Sequence, residues 1–183
     1  MQTDTHWIFG YGSLIYKVDF PILRREVASL RGWTRRFWQG SHDHRGTAER
    51  PGRVVTLVEE PGALCRGMAF LVNEEVFSHL DHREKNGYER HQSTLELLDP
   101  GEHVEATFYI AAEGNVAFLG GGSDRELAEH IARSHGPSGS NADYLLSLAG
   151  ALRDLGEEDE HVFNLERELL QLRGAQPPSR VTS

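Results

Sequence analysis

The sequence predicts an α+β fold: short strands in a mixed or antiparallel sheet able to curl into a small β-barrel, with flanking helices. Three observations point there. β-Branched and aromatic runs between Gly and Pro breaks fill the first two thirds of the chain. Their close spacing leaves no room for a regular strand–helix–strand alternation, which argues against a parallel doubly wound sheet. In the final third, apolar residues return at helical rather than strand spacing.

In chain order, His6-Trp7-Ile8-Phe9 is a brief strand stopped by Gly10. Trp33 to Gln39, Arg53 to Glu59 and Leu64 to Val72 read as further strands, and the nearly continuous apolar run Val54 to Val58 suits a strand covered on both faces. Asn73 is placed to cap a short helix carrying Val76, Phe77 and Leu80, with Gly87 as its stop. His91 to Leu98 and His103 to Ala111 form a pair around the turn signal Asp99-Pro100-Gly101. Ser123 or Asp124 caps a helix burying Leu127 and Ile131. Leu145, Leu148, Ala149 and Leu152 make a helical stripe, which Val162, Leu165, Leu169 and Leu172 repeat. The polar stretch from Ser41 to Gly52 reads as an exposed, mobile loop, and Gly174 to Ser183 as a disordered tail after a single domain over 1–173.

Composition narrows the function. At 183 residues and 20.6 kDa the chain is one domain, able to bury about 70% of its unfolded surface. A net charge of −9 argues against a nucleic acid or an anionic membrane as partner. The single Cys excludes an internal disulfide framework and fits a reducing compartment. No apolar run reaches membrane-spanning length, and the first residues lack a signal-peptide pattern. A soluble cytoplasmic protein is expected.

Gly10-Tyr11-Gly12-Ser13-Leu14-Ile15 directly follows the first strand. Ile15 stands where a dinucleotide fingerprint needs its third glycine, so that reading fails. Two close glycines still offer a bend whose backbone N–H groups can hold a carboxylate or an oxyanion. A plain turn is the alternative. The run Leu80 to Arg90 is densely charged, which usually marks a solvated face. Its place between helix and strand nevertheless allows one carboxylate, such as Glu84, to turn inward.

Other signals are weaker. His42-x-His44 and His79-x-x-His82 lack a third ligand at a recognised spacing, so no metal is expected. Cys65 reads as a small core residue rather than a nucleophile, and Ser13 lacks a nucleophile-elbow frame. Gly120-Gly121-Gly122-Ser123 precedes a helix but has no Walker lysine, and reads as a loop.

Taken together, these pieces resemble the ChaC-type glutathione-specific γ-glutamylcyclotransferases, in colinear order from Trp7 to Leu172. The matching segments begin with Phe9 to Ile15, Arg35-Arg36-Phe37-Trp38-Gln39-Gly40-Ser41 and Asp43-His44-Arg45-Gly46. They continue with Pro51 to Leu57, Arg83-Glu84-Lys85 with Gly87-Tyr88, and Gly136-Pro137-Ser138-Gly139 with Asn141 and Tyr144-Leu145. The first is shared with wider cyclotransferase relatives. Arg-Phe-Trp-Gln-Gly-Ser and Gly-Pro-Ser-Gly are more specific to ChaC-like proteins. Tyr16 and His82 stand where relatives often carry other residues, commonly aromatic.

The resemblance implies a γ-glutamylcyclotransferase-like α+β barrel that closes the γ-glutamyl group of reduced glutathione to 5-oxoproline and releases Cys-Gly, without metal or cofactor. It implies Glu84 as the general base. It places substrate binding on Gly10, Tyr11, Gly12, Ser13, Leu14 and Ile15, with Arg45, Arg53, Asn141 and Tyr144 as further pocket residues for which local packing is an equal reading. Two other functions remain open: ring closure on other γ-glutamyl amino acids or amines, and a silent module that binds an acidic ligand.

Overall fold

Strands β1 (Thr5–Gly10), β2 (Arg24–Ser41), β3 (Gly52–Asn73), β4 (Glu89–Leu97) and β5 (His103–Ile110) close into a barrel in the order β1-β3-β2-β4-β5. The computed structural model describes residues 4–84, 88–99, 101–111 and 114–174, with the side chain of Glu84 outside that set. The predicted helix stop Gly87, Pro100 of the predicted turn and the tail after Gly174 also lie outside the described residues. Gly174 itself ends the last helix.

Neighbouring strands are antiparallel except β1 and β5, which run parallel with Trp7 opposite Ala106 and Ile8 opposite Thr107. A ring with an odd number of strands cannot alternate direction all the way round, so one parallel junction is forced. Closure gives the barrel strands partners on both sides along these pairings.

The sequence breaks β2 and β3 too early. The 33–39 strand is the second half of an 18-residue β2. The 53–59 and 64–72 strands are one 22-residue β3. Between Arg31↔Leu64 and Trp33↔Glu59, Gly32 stands opposite residues 60–63. Gly32 and Gly62, at φ +89 and +83, let the ribbon kink there without ending. Pro61-Gly62 is therefore a bulge rather than a break. Past the kink, β2 and β3 leave the barrel as a two-stranded arm.

Helices cover the arm and one end of the barrel. The Asn73 side chain accepts the Val76 N–H at 2.9 Å and starts α1 (Glu74–Glu84), as expected. Ser123 and Glu126 form a reciprocal capping box at the start of α2 (Asp124–Ala132). Helices α3 (Asn141–Asp154) and α4 (Glu160–Gly174) bury the two predicted stripes, Leu145, Leu148, Ala149 and Leu152 with Val162, Leu165 and Leu169. Leu172 is only half-buried. A small hairpin, β6 (His135–Gly136) and β7 (Gly139–Ser140), joins α2 to α3.

The loop between β2 and β3 is mostly exposed but anchored. Gly46 is buried, and a Cβ there would fall 2.0 Å from the Gly52 nitrogen. The His44 carbonyl accepts the Ser138 N–H at 2.9 Å, and His130 Nε2–H donates to the Pro51 carbonyl at 2.7 Å. Its polar, Gly-bounded composition concealed these partners, which lie far along the chain.

Candidate active site

β1 ends at Gly10, and the chain turns through Tyr11-Gly12 into a 3-10 turn over Ser13–Ile15. The Ile15 N–H donates to the Gly12 carbonyl at 3.0 Å and the Lys17 N–H to the Ser13 carbonyl at 2.8 Å. Both bend glycines answer to close approach, since positive φ occurs at neither. A Cβ on Gly10 would sit 2.8 Å from Leu14 Cβ. One on Gly12 would sit 2.9 Å from Val55 Cγ2 and 3.2 Å from the Tyr144 hydroxyl. The amides of Gly12, Ser13 and Leu14 precede the first helical bond and find no acceptor among the described residues.

A buried arginine holds this bend from beneath. Arg35 is 1% exposed. Its Nε–H donates to the Tyr11 carbonyl at 2.6 Å, and its terminal nitrogens donate to the Arg66 carbonyl and Asp159 Oδ2, each at 2.7 Å. The other Asp159 oxygen accepts the Val162 N–H at 3.0 Å and so caps α4. One planar fork therefore ties the bend, β3 and the start of α4 together.

The same bend is joined to α1. The Tyr11 hydroxyl donates to the Tyr109 carbonyl, and the Tyr109 hydroxyl donates to Asp81 Oδ1 at 2.9 Å. Arg90 reaches Asp81 Oδ2 at 3.2 Å, and Arg83 pairs with Asp19 at 3.1 Å. The last turn of α1, which ends at Glu84, is thus fastened to β4, β5 and the bend.

α3 forms the opposite wall. Asn141, 0% exposed, accepts the Arg53 N–H and donates to the Arg53 carbonyl, both at 2.7 Å. One turn later the Tyr144 hydroxyl accepts the Val55 N–H at 3.3 Å. Side chains of α3 thereby serve alternate residues of β3 where a strand neighbour is missing. The Tyr144 ring meets Tyr16 edge-on at 6.4 Å and Phe37 at 5.7 Å, with the Arg45 guanidinium 5.7 Å from its centroid. Burial foremost, then the Tyr16 phenol, keep Tyr144 protonated, and Tyr88 adds to the effect.

Of the residues predicted from sequence, Gly10 to Ile15, Arg45 and Tyr144 meet around the bend. Arg45 donates to the Ser140 carbonyl at 3.2 Å and has no carboxylate partner among the described residues. Arg53 is committed elsewhere: Nε–H donates to His130 Nδ1 at 3.0 Å, and Nη1 donates to the Phe37 and Gly120 carbonyls at 3.0 and 2.7 Å. Burial lowers its pKa. Asn141 is likewise occupied by the backbone, so both hold β3 in place. The Glu84 carboxyl lies outside the described residues.

Sequence reasoning did not single out Asp81 or Tyr109 as parts of this assembly, and it met Arg35 only within the matched 35–41 segment, because their partners lie far along the chain. Cys65 is buried, and burial pushes its thiol up to about 11, which leaves it unreactive. No cluster of three metal-ligating side chains occurs among the described residues. A cavity of about 590 Å³ opens between the β2–β3 arm, the start of β4 and the end of β5. Trp33, Trp38, His91 and Phe118 line it with Glu59 and Glu89, and none of the predicted residues borders it.

Comparison with known proteins agrees with this architecture. A family model described as ChaC-like protein matches residues 6–172. The zebrafish (Danio rerio) glutathione-specific γ-glutamylcyclotransferase 1 is 42% identical, covering 90% of this chain and 88% of its own length. The human (Homo sapiens) protein of that name is 39% identical over 85% of this chain and 74% of its own. The crystal structure of a yeast γ-glutamyl cyclotransferase specific to glutathione superposes with a TM-score of 0.84 at 30% identity, covering 96% of this chain and 99% of that one. A family model that spans residues 6–172, and relatives 39–42% identical over most of the chain, show that the chain belongs to the ChaC-like family.

Proposed function

We propose that this chain is a glutathione-specific γ-glutamylcyclotransferase that converts reduced glutathione to 5-oxoproline and Cys-Gly. The activity is the one named in its relatives from zebrafish, human and budding yeast. The structural observation that carries the reading is the Tyr11–Tyr109–Asp81 relay, which fastens the Gly10–Ile15 bend to the helical turn that ends at Glu84.

The reaction is an internal transfer. Glu84 takes a proton from the α-ammonium of the γ-glutamyl group, and the freed amine attacks its own γ-carbonyl carbon. A C–N bond forms and negative charge collects on the carbonyl oxygen. The amides of Gly12, Ser13 and Leu14, without an acceptor among the described residues, are the donors for that charge, and loss of one such donor typically costs about 3–4 kcal/mol of barrier. Collapse breaks the bond to the cysteinyl nitrogen, which takes from Glu84 the proton drawn from the α-ammonium; the ring nitrogen gives up a second proton to become the lactam N–H, and Cys-Gly leaves with its amine as the ammonium. No water is consumed. Holding the flexible glutamyl arm folded supplies much of the remaining acceleration.

Arg45 supplies positive charge for a substrate carboxylate, while Arg53 and Asn141 act by fixing the wall that carries Tyr144. The enzyme works as a single domain in the cytoplasm. A lone buried thiol fits a reducing compartment, and no helix among the described residues is long and apolar enough to cross a membrane.

The test is product formation from reduced glutathione, oxidised glutathione and γ-Glu-Ala run side by side. Turnover of reduced glutathione alone supports the proposal. Turnover of γ-Glu-Ala instead keeps the chemistry and overturns the substrate. Stabilisation by glutathione without any 5-oxoproline makes the chain a silent binding module.

A further inference from the structure

The reaction just described leaves one buried polar atom without a task. Tyr16 closes the 3-10 turn, its N–H bonded to the Ser13 carbonyl at 3.1 Å. Its ring stands edge-on to Tyr144, yet its buried hydroxyl has no hydrogen-bond partner among the described residues. A protein gains nothing by hiding an unpaired phenol O–H, which loses water and receives no replacement. Among the described residues two other buried hydroxyls share this condition, those of Ser29 and Thr56, and both belong to barrel strands rather than to the bend.

What surrounds Tyr16 is one-sided. The Tyr144 hydroxyl already accepts the Val55 N–H and has no acceptor for its own proton among the described residues. The Arg45 guanidinium lies close enough to act on the Tyr16 phenol, and one bond to the Ser140 carbonyl leaves most of its donors uncommitted. The Gly12, Ser13 and Leu14 amides point to the same deficit. Burial outweighs Arg45 and raises the Tyr16 pKa, so the phenol keeps its proton and remains a donor. Among the described residues, two phenol protons, most of the donors of a guanidinium and three amides are left here without an acceptor. Such a group of donors is complementary to an anion.

We infer that the Tyr16 hydroxyl is a specificity-determining substrate contact, donating a hydrogen bond, beside Arg45, to a carboxylate of the γ-glutamyl substrate. This rests on the function proposed above. It assigns to Tyr16 a role that an aromatic residue without a hydroxyl cannot perform.

The test is Tyr16→Phe, which deletes one oxygen and keeps the ring. KM and kcat are read on reduced glutathione and on its C-terminal amide, and the melting of the unliganded protein is recorded. The expected result is a KM about tenfold higher, the scale of one hydrogen bond to a charged group, with kcat within about twofold. Melting of the unliganded protein should be unchanged or higher, because an unpaired buried hydroxyl has been removed. Tyr16→Trp, which keeps an aromatic ring but lacks the phenol, should raise KM similarly. Arg45→Gln should also raise KM, and the double variant should fall short of the product of the two effects.

The amide substrate separates the two possible carboxylates. A Tyr16→Phe effect that persists on the amide places the contact on the γ-glutamyl head, and one that vanishes places it on the glycine end. A Tyr16→Phe KM within twofold of wild type, with normal melting, overturns the inference while wild-type turnover leaves the proposed function standing. A fall in kcat together with a lowered melting temperature makes Tyr16 a packing residue and also overturns it. A wild type that turns over no γ-glutamyl substrate overturns the function, and Tyr16's role with it.

Discussion

Replacing Arg35 by lysine tests how the bend is held. The guanidinium reaches three acceptors at once: the Tyr11 and Arg66 carbonyls and Asp159 Oδ2, at 2.6, 2.7 and 2.7 Å. An ammonium keeps the charge but has a single nitrogen, which cannot span acceptors arranged around a planar fork. At least two of them lose their donor, and a buried polar group left unpaired costs about 1–3 kcal/mol. Asp159 is nearly buried and keeps a cation nearby, so a net loss of roughly 3 kcal/mol is expected. For a domain of this length that is a fall in melting temperature of roughly 6–12 °C.

Urea unfolding should show the midpoint falling while the slope stays constant, which marks a change in stability rather than in compactness. Turnover should fall too, because the Tyr11 carbonyl loses its anchor and the amides beyond it lose their aim. Asp159→Asn should couple to Arg35→Lys by more than 0.5 kcal/mol in a double-mutant cycle, as expected for groups in one network. An Arg35→Lys enzyme within about 0.5 kcal/mol of wild type, the range of a surface substitution, would refute this reasoning.

Two further outcomes follow from named contacts. Gly12→Ala places a methyl 2.9 Å from Val55 Cγ2 and 3.2 Å from the Tyr144 hydroxyl. It should cost about 1–3 kcal/mol of stability and lower kcat/KM more than tenfold; unaltered kinetics would separate this approach from function. His161 Nε2 accepts the Phe37 N–H at 3.0 Å, and burial, then Arg36, push its pKa from 6.5 down to about 4. Between those pH values the unfolded chain binds a proton that the folded protein refuses. The contribution is therefore complete above pH 6.5 and lost as pH falls toward 4. After allowance for solvent screening it amounts to roughly 2 kcal/mol. A His161→Gln variant whose urea midpoint shows the same pH dependence as wild type would contradict it.

Much of the fold was legible because it rests on local physics. Asn73 and Ser123 cap the helices they were expected to cap, since an N-cap needs only its own side chain and the following amides. The stripes on α3 and α4 are periodic and were read correctly. The first half of β2, from Arg24, was missed because Arg24-Arg25-Glu26 lacks the β-branched and aromatic residues that mark a strand. Pairing with β3 and β4 overrides that weak propensity. The parallel β1–β5 junction is a matter of topology and leaves no trace in either segment.

The site divides in the same way. Gly10 to Ile15 were visible as a bend, and the resemblance to ChaC-like proteins supplied Glu84. Arg35 meets Asp159 across 124 positions of sequence, and Tyr109 meets both Tyr11 and Asp81 across long separations. For Arg53 a carboxylate contact and local packing were equal readings, because an isolated Arg carries no sign of its partners. Folding gives it two carbonyls and His130 instead. Tyr16 reads from the sequence only as a departure from relatives, since nothing local shows that its buried hydroxyl has no partner among the described residues.

The most direct test of the central claim is 5-oxoproline and Cys-Gly formation from reduced glutathione by wild type and Glu84→Gln at matched concentration, with melting recorded for both. The amide keeps the size of the carboxyl but cannot take the ammonium proton. The account predicts equimolar products from wild type and a normally folded variant slowed roughly 100-fold or more, the scale of losing a general base. A folded Glu84→Gln protein that turns over glutathione at near the wild-type rate would contradict it and move the base to another carboxylate.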